Sequence, residues 1–314
     1  MRSPSLDRRR ALLLAAAQQP LLLPLAAPAI GGVPTPSQIS LSDRTQLPLA
    51  TFGLQIYDDM TALALTQRAL DAGFRSFFTS PEGGNQRGFA QAIRESGIPR
   101  HELFLAGSVL SDDADAGFEN ARSVTRARFA ESLRTLRSEG IESLDMLMLE
   151  RPGRGCACIR GQWRACQEAR AAGQATSLGV CNFDLEDLDC LAGSAYKPQV
   201  NMIQYTLAIR MPHTAILRAH ARRGVRIFAF SPLGGPGGII PRSTLDQCAA
   251  IGRARDKSAY QVALKWLVQQ DVAFSVHSSS SAHLRDDLSL FDWELTADEM
   301  ARLERASERA PDYY

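Results

Sequence analysis

The stretch WRACQEARAAGQATSLGVCNF, residues 163–183, decides the fold class of this 314-residue chain. Its first half predicts a helix over residues 162–172. That helix ends before Gly173, because glycine adopts the left-handed backbone of a helix terminus at the least cost. A short apolar run follows at residues 175–182 and predicts a buried strand. A helix followed at once by such a strand is the unit from which α/β folds are built.

The same alternation extends in both directions from this unit. The strands are continuous aliphatic and β-branched runs, which is typical of parallel strands buried on both faces. Further strands are predicted at residues 75–80, 102–110, 143–150, 199–207, 225–231 and 272–278, and further helices at 86–96, 124–138, 185–191, 213–223 and 245–255. Because the spacing is regular and no domain-sized gap interrupts it, we expect one α/β domain, a (β/α)8 TIM barrel over residues 47–314. A doubly wound open sheet is the alternative that periodicity alone leaves open.

The composition excludes two classes of partner. Hydrophobic residues make up 45% of the chain, enough for a large core, and the formal net charge is only +1. No basic run is interleaved with aromatic residues, so we expect no nucleic-acid binding. After the first 30 residues no apolar segment reaches spanning length, so we expect no transmembrane span in the mature chain.

The first 29 residues predict an export signal or a transit segment. Three arginines at residues 8–10 precede an apolar run, and residues 27–29 (APA) form a small-x-small cleavage site. These are the three parts of such a signal. The string DRRRAL at residues 7–12 resembles the twin-arginine type, with a Sec-type signal or an organelle transit peptide as the alternative. We therefore expect a periplasm or a thylakoid lumen rather than the cytoplasm, and a linker over residues 30–46.

The six cysteines show no zinc-ligand spacing, and we expect no metal site. Cys156 and Cys158 are one residue apart and lack a second ligand pair. Export would permit a disulfide. The other interpretation is that the cysteines are small buried apolar side chains, with one pair in a loop.

Four strings, in order, resemble the aldo-keto reductase family. They are residues 163–183, which end in GVCNF where the family has GVSNF, residues 198–205 (PQVNMIQY), residues 229–234 (AFSPLG) and residues 291–296 (FDWELT). The resemblance covers residues 47–306 and implies the same barrel. It also implies hydride transfer between a nicotinamide cofactor, NADP or NAD, and a small carbonyl substrate.

The resemblance implies four catalytic roles at the carboxyl ends of the barrel strands. A Tyr donates a proton, a Lys lowers the pKa of that Tyr, an Asp orients the Lys, and a His positions the carbonyl. The positions of Asp, Tyr, Lys and His hold Phe78, Gly83, Ser108 and Glu150 in this sequence, whose first lysine is Lys197. Hydride addition leaves an alkoxide that must be protonated or stabilised. Classical carbonyl reduction is therefore expected to be lost.

Glu150 has two interpretations. A branch of the family that reduces a steroid double bond also places Glu here, but it keeps the Tyr, the Lys and the Asp. A buried Glu has a raised pKa and can act as an acid. Alternatively, the carboxylate forms a structural ion pair with Arg151 or Arg154.

The nicotinamide end of the cofactor site is expected to be kept in part. Asn182 matches the residue that binds the carboxamide, and Phe230 replaces the stacking Tyr with another aromatic ring. Cys181 replaces a Ser, and Met202 replaces a carboxamide-binding Gln. Three residues match the loop whose backbone approaches the pyrophosphate, namely Ser231, Leu233 and Gly234.

The adenosine end of the site is expected to be altered more. The resemblance places a clamp for the 2′-phosphate and the adenine at His277, Ser278, His283, Asp286 and Asp287. The two histidines replace Lys and Arg, and a neutral His gives up a full positive charge. We therefore expect weakened binding of NADP, with the absence of any cofactor as the alternative.

Three hypotheses of function follow. The main one is a pseudoenzyme, a catalytically inactive barrel with a binding, structural or regulatory role toward a protein partner. The second is an NAD(P)-dependent oxidoreductase of altered chemistry that uses Glu150 as its acid. The third is an accessory subunit of a membrane-associated complex, photosynthetic if the compartment is a lumen, which requires an apolar surface patch.

Overall fold

Eight parallel strands close into a barrel in the computed structural model, which describes residues 37–54, 56–111, 117–208, 210–235 and 238–308. Two short antiparallel hairpins stand outside it. The strands are β1 (Gln38–Ser40), β2 (Gln46–Pro48), β3 (Ala50–Gly53), β4 (Ser76–Thr79), β5 (Phe104–Val109), β6 (Leu144–Leu149), β7 (Ala175–Cys181), β8 (Val200–Gln204), β9 (Arg226–Phe230), β10 (Gly234–Gly235), β11 (Gly238–Ile239) and β12 (Ala273–Val276). The barrel order is β12–β3–β4–β5–β6–β7–β8–β9, closed between β9 and β12. This confirms the (β/α)8 TIM barrel.

Helices follow the barrel strands along the chain. They are α1 (Asp59–Ala72), α2 (Gln86–Glu95), α3 (Phe118–Arg137), α4 (Gly155–Ala171), α5 (Leu185–Asp189), α6 (His213–Arg222), α7 (Arg242–Gly252), α8 (Ala259–Val268), α9 (Ser281–Leu288) and α10 (Ala297–Ser307). Helices α1, α8 and α9 lie outside the helices expected from the sequence. In α8 the residues from Gln261 to Val268 are all buried, so no exposed polar face marks this helix. The backbone of Gly173 is left-handed, with φ 72°, as expected at the end of α4.

Strand β6 shows why the sequence pattern identified the barrel. Met146, Leu147, Met148 and Leu149 are all fully buried, so both faces of the strand are covered. Parallel pairing with β5 and β7 sets Met148 beside Ser108 and Leu149 beside Val180. This register brings Glu150, the next residue, to the carboxyl end of the barrel, where active sites of this fold lie.

Ordered structure begins before residue 47, where the family resemblance starts. Strands β1 and β2 pair through Ile39 and Leu47, both buried, so the segment expected as a linker over residues 30–46 includes one arm of a hairpin. The predicted export segment, residues 1–29, lies outside the described residues. Within the described ranges no helix is both long and apolar enough to cross a membrane.

Helices α3 and α4 begin earlier than expected, because close packing overrides low helix propensity. Gly161 lies in α4 against the backbone of Phe118, and a Cβ added there would overlap the Phe118 carbonyl oxygen. Glycine disfavours a helix by about 1 kcal/mol relative to alanine, which is why the sequence pattern placed the start of α4 after it.

We expect Gly161→Ala to destabilise the protein by about 1–3 kcal/mol, because an overpacked contact against backbone forces the two helices apart. The free energy of unfolding in urea measures this effect. Gly193→Ala is the matched control, since nothing lies within 4 Å of a Cβ at that position. Equal stability of the two variants would contradict the packing argument.

Candidate active site

Three polar side chains meet at the carboxyl ends of neighbouring strands. Glu150 follows β6, Ser108 lies in β5 and Ser80 follows β4. The Ser80 hydroxyl donates a hydrogen bond to Glu150 Oε2 at 2.7 Å, and the Ser108 hydroxyl donates to the same oxygen. Glu150 is only 8% exposed. The structure therefore holds one buried carboxyl group between two hydroxyls, and we call this arrangement the Glu150 cluster.

The surroundings of Glu150 favour its protonated form. Burial raises the pKa of Glu150 above its usual range, and this is the largest influence. The hydrogen bonds from Ser108 and Ser80 act against burial, while the nearby Glu82 carboxyl raises the pKa further. The net shift is upward, so Glu150 keeps a proton at a higher pH than an exposed glutamate does.

Glu82 connects the Glu150 cluster to solvent. Its backbone N–H donates to Ser80 Oγ at 3.1 Å, and its exposed carboxylate pairs with Arg151 at 2.7 Å. The ion pair expected between Glu150 and Arg151 or Arg154 is therefore replaced by a different arrangement, in which Arg151 pairs with Glu82 and the two serines hold Glu150.

The substitution Glu82→Gln is expected to lower the pKa of Glu150, because it removes a neighbouring negative charge and releases Arg151 from its pair. The Glu150 carboxyl then loses its proton at a lower pH than in the wild-type protein. A ¹³C NMR titration of the glutamate side chains measures this shift. An unchanged or higher midpoint for Glu150 would show that Glu82 does not influence it.

Two family positions hold residues that cannot replace the missing groups. Phe78 lies in β4 and is half-buried, and Gly83 lies in the 3₁₀ turn Pro81–Gly83. A Cβ at Gly83 would lie 3.1 Å from the side-chain amide of Asn85, so a larger residue there would require a small shift of Asn85. The signal for both substitutions was present in the sequence.

Asn182 and Cys181 lie beside the Glu150 cluster, at the end of β7. Asn182 has a left-handed backbone, with φ 60°, and its side-chain amide donates to the backbone carbonyl of Glu150 at 3.1 Å. Cys181 is buried, which raises the pKa of its thiol well above the usual value and keeps it protonated. The expected carboxamide ligand therefore also braces the strand end that carries Glu150.

A cleft of about 560 Å³ opens on the side of the barrel formed by β3, β8, β9 and β12. It brings together most of the residues expected to bind cofactor, namely Met202, Phe230, Ser231, Leu233, Gly234, His277, Ser278, His283, Asp286 and Asp287. Asn182, Cys181 and Glu150 do not line it. Phe78 does, and it lies two residues before Ser80, so β4 joins the cleft to the Glu150 cluster.

The start of α8 supplies a part of the cleft that was not expected from the sequence. Ser258 and Gln261 line the cleft and form a capping box at the start of this helix. The spacing Ser-x-x-Gln was a readable signal for a helix start. Gly53 was also missed, and its position shows close packing, because a Cβ there would overlap the Ser275 hydroxyl.

The loop after β9 exposes backbone to the cleft. Ser231 has φ 47° and Gly234 has φ 109°, both left-handed. The Thr206 hydroxyl fixes this loop by donating to the Pro232 carbonyl at 2.6 Å. Small residues with such backbone angles allow N–H groups to approach an anionic ligand closely.

A disulfide joins Cys156, in the first turn of α4, to Cys190, at the end of α5. It does not involve Cys158, which is buried and free. The two cysteines are 34 positions apart, so their pairing was not readable from spacing. Among the described residues, no group of three or more His, Cys, Asp or Glu side chains is placed to hold a metal ion.

The cleft and the buried acid lie at the carboxyl ends of the barrel strands, the end at which the active sites of barrel enzymes are found. The sequence profile of the Aldo/keto reductase family matches residues 49–308. This chain belongs to the aldo/keto reductase family.

Individual relatives agree with this assignment. An aldo-keto reductase of Mycolicibacterium vanbaalenii is 31% identical over 272 residues, which cover 86% of this chain and 92% of the relative. Morphine 6-dehydrogenase of Pseudomonas putida is 29% identical over 279 residues, or 85% of this chain and 90% of that enzyme.

Solved structures share the fold. The aldo/keto reductase from Brucella melitensis superposes with a TM-score of 0.74 at 25% identity, covering 86% of this chain and 98% of that one. A Bombyx mori aldo-keto reductase, solved in complex with NADP, gives a TM-score of 0.75 at 21% identity, covering 90% of this chain and 99% of that one.

The hypothesis of a catalytically inactive barrel is wrong. Relatives that match most of this chain are named reductases and dehydrogenases, which favours the hypothesis of an oxidoreductase. The four family positions do lack their usual side chains. The tertiary structure places Glu150 with Ser80 and Ser108, and this cluster can hold a proton at the same end of the barrel.

Proposed function

We propose that this chain is a nicotinamide-dependent oxidoreductase in which Glu150 is the general acid. The observation that supports this proposal is the buried Glu150 carboxyl between Ser80 and Ser108, at the carboxyl end of β6. A general acid works best when its pKa approaches the working pH, and burial shifts the pKa of Glu150 in that direction.

The cleft beside the Glu150 cluster fits a nicotinamide dinucleotide. Its volume of about 560 Å³ lies in the range of small-molecule sites. Phe230 would offer an aromatic face to the nicotinamide ring. In the loop that follows, Pro232 has no N–H and the Gly234 N–H donates to the Ser231 carbonyl at 3.1 Å. Ser231 and Leu233 would therefore supply the backbone N–H groups for the phosphates. Weakened NADP binding, expected from His277 and His283, stays a prediction.

Glu150, Ser80 and Ser108 have distinct roles in the proposed reduction. A nicotinamide cofactor held by Phe230 and the loop after β9 would provide the hydride for the carbon of a small carbonyl substrate. Glu150 gives its carboxyl proton to the substrate oxygen, so that an alcohol forms and Glu150 becomes a carboxylate. Ser80 and Ser108 stabilise that carboxylate by donating hydrogen bonds to Oε2. Solvent then returns a proton to Glu150.

Turnover by the purified chain tests this function. NADH or NADPH is mixed with a panel of aldehydes and quinones, and cofactor oxidation is followed by absorbance. We expect a kcat on the order of 1 s⁻¹ or above for at least one pair of cofactor and carbonyl. The proposal fails if neither cofactor is oxidised and neither binds in a calorimetric titration.

We also propose that the chain is exported to an oxidising compartment, a periplasm or a thylakoid lumen. The signal predicted in residues 1–29 supports export, and the Cys156–Cys190 disulfide supports an oxidising environment. Alkylation of cysteines in separated cell fractions tests this. We expect Cys156 and Cys190 to resist alkylation until a reductant is added, and to be found outside the cytoplasmic fraction. Reactive thiols at both positions in a cytoplasmic pool would contradict it.

A further inference from the structure

The outer end of the cleft contains a buried carboxylate with nothing to bind. Asp287, in α9, lines the cleft and is only 6% exposed. No hydrogen bond or ion pair between described residues involves its side chain, and its oxygens are not among the fully enclosed unpaired atoms, so they keep access to the cleft. Buried acidic side chains are normally paired, so a cleft-lining one without a partner indicates a position that a ligand satisfies.

The side chains that line the cleft with Asp287 bring no permanent positive charge, and the Arg68 guanidinium, outside this lining, donates to the Ser279 carbonyl at 2.7 Å. Of the described residues that line the cleft, none is Lys or Arg. His277 and His283 are the basic groups, and partial burial lowers the pKa of His277, which leaves that ring neutral at neutral pH. Asp286, next along α9, adds a second carboxylate. This end of the cleft therefore offers acceptors and negative charge.

Such an end selects its ligand by charge. A carboxylate accepts hydrogen bonds from hydroxyl or amino groups, and it repels a phosphate monoester held against it. Burial raises the pKa of Asp287 to about 7, and the charge of Asp286 adds to this rise. Asp287 is thus mostly ionised above that pH.

We infer that Asp287 makes the outer end of the cleft specific for an adenosine ribose with free hydroxyls, so that this protein uses NAD(H) in preference to NADP(H). The inference rests on the proposed function, which places the nicotinamide against Phe230 and thereby sends the adenosine toward α9. The ribose hydroxyls of NAD(H) then donate hydrogen bonds to Asp287. The 2′-phosphate of NADP(H) is instead repelled by the carboxylates of Asp286 and Asp287.

Calorimetric titration of the purified chain with NADH and with NADPH at about pH 8, above the pKa of Asp287, tests the inference. We expect the wild-type protein to bind NADH about tenfold or more tightly than NADPH. Asp287→Asn keeps the size of the side chain and removes its charge, so it should bind NADPH several-fold more tightly while NADH binding changes little.

The matched control is Asp292→Asn, which removes the same charge from a residue that is 77% exposed and does not line the cleft. It should leave both affinities unchanged. Equal or tighter binding of NADPH by the wild-type protein, or an Asp287→Asn variant with an unchanged preference, overturns the inference and leaves the proposed function standing. If neither nucleotide binds, both proposals fail. Thermal unfolding of each variant shows whether the fold is kept.

Discussion

The substitution Glu150→Gln is expected to lower kcat for carbonyl reduction by about 10²- to 10⁴-fold, the usual contribution of a general acid. Glutamine matches the size of glutamate and can still accept a hydrogen bond from Ser80 or Ser108. It has no proton to give at the pH of the assay. The expected loss therefore comes from chemistry and not from packing.

Nucleotide binding distinguishes this outcome from misfolding. Glu150 does not line the described cleft, so the variant should bind its preferred cofactor with nearly the wild-type Kd. Glu142→Gln is the matched control, because Glu142 is exposed and pairs with Arg137 away from the Glu150 cluster. If the kcat of the Glu150→Gln variant lies within about twofold of the wild-type value, Glu150 is not the general acid.

The double substitution Cys156→Ser, Cys190→Ser is expected to lower the free energy of unfolding by about 3–4 kcal/mol. The disulfide closes a loop that contains all of β7 and α5, and its loss returns conformational entropy to the unfolded chain. Urea unfolding of the oxidised proteins measures the difference.

A reductant provides the internal control. Cys156 lies at the surface, so reduction should bring the wild-type protein to the stability of the double variant, and should leave that variant unchanged. The four other cysteines are buried and free, so they are not expected to respond. If the oxidised wild type and the double variant unfold at the same urea concentration, the disulfide contributes nothing to stability.

The sequence predicted the residues of the site better than their roles. Met202 and Phe230 lie in barrel strands, and the loop residues after β9 and β12 follow strands, so strand order brings them to one end of the barrel. The residues of α9 are brought there by the helix that follows β12. The roles depend on contacts. One prediction paired Glu150 with Arg151 or Arg154, which are close to it in sequence. Its hydrogen-bond partners are instead Ser108 and Ser80, 42 and 70 positions away.

By itself, the sequence determined that parallel strands alternate with helices, because strands buried on both faces must be apolar throughout and the helices between them recur at a regular interval. The resemblance of four strings to one family then selected the closed barrel over an open sheet. Only the tertiary structure decided which side chains contact each other and which stay without a partner. The Glu150 cluster, the Cys156–Cys190 bond and the unpaired Asp287 all depend on distances between residues far apart in the chain. Burial and pairing set the pKa and the chemistry of a side chain, and neither is a property of residue type or spacing.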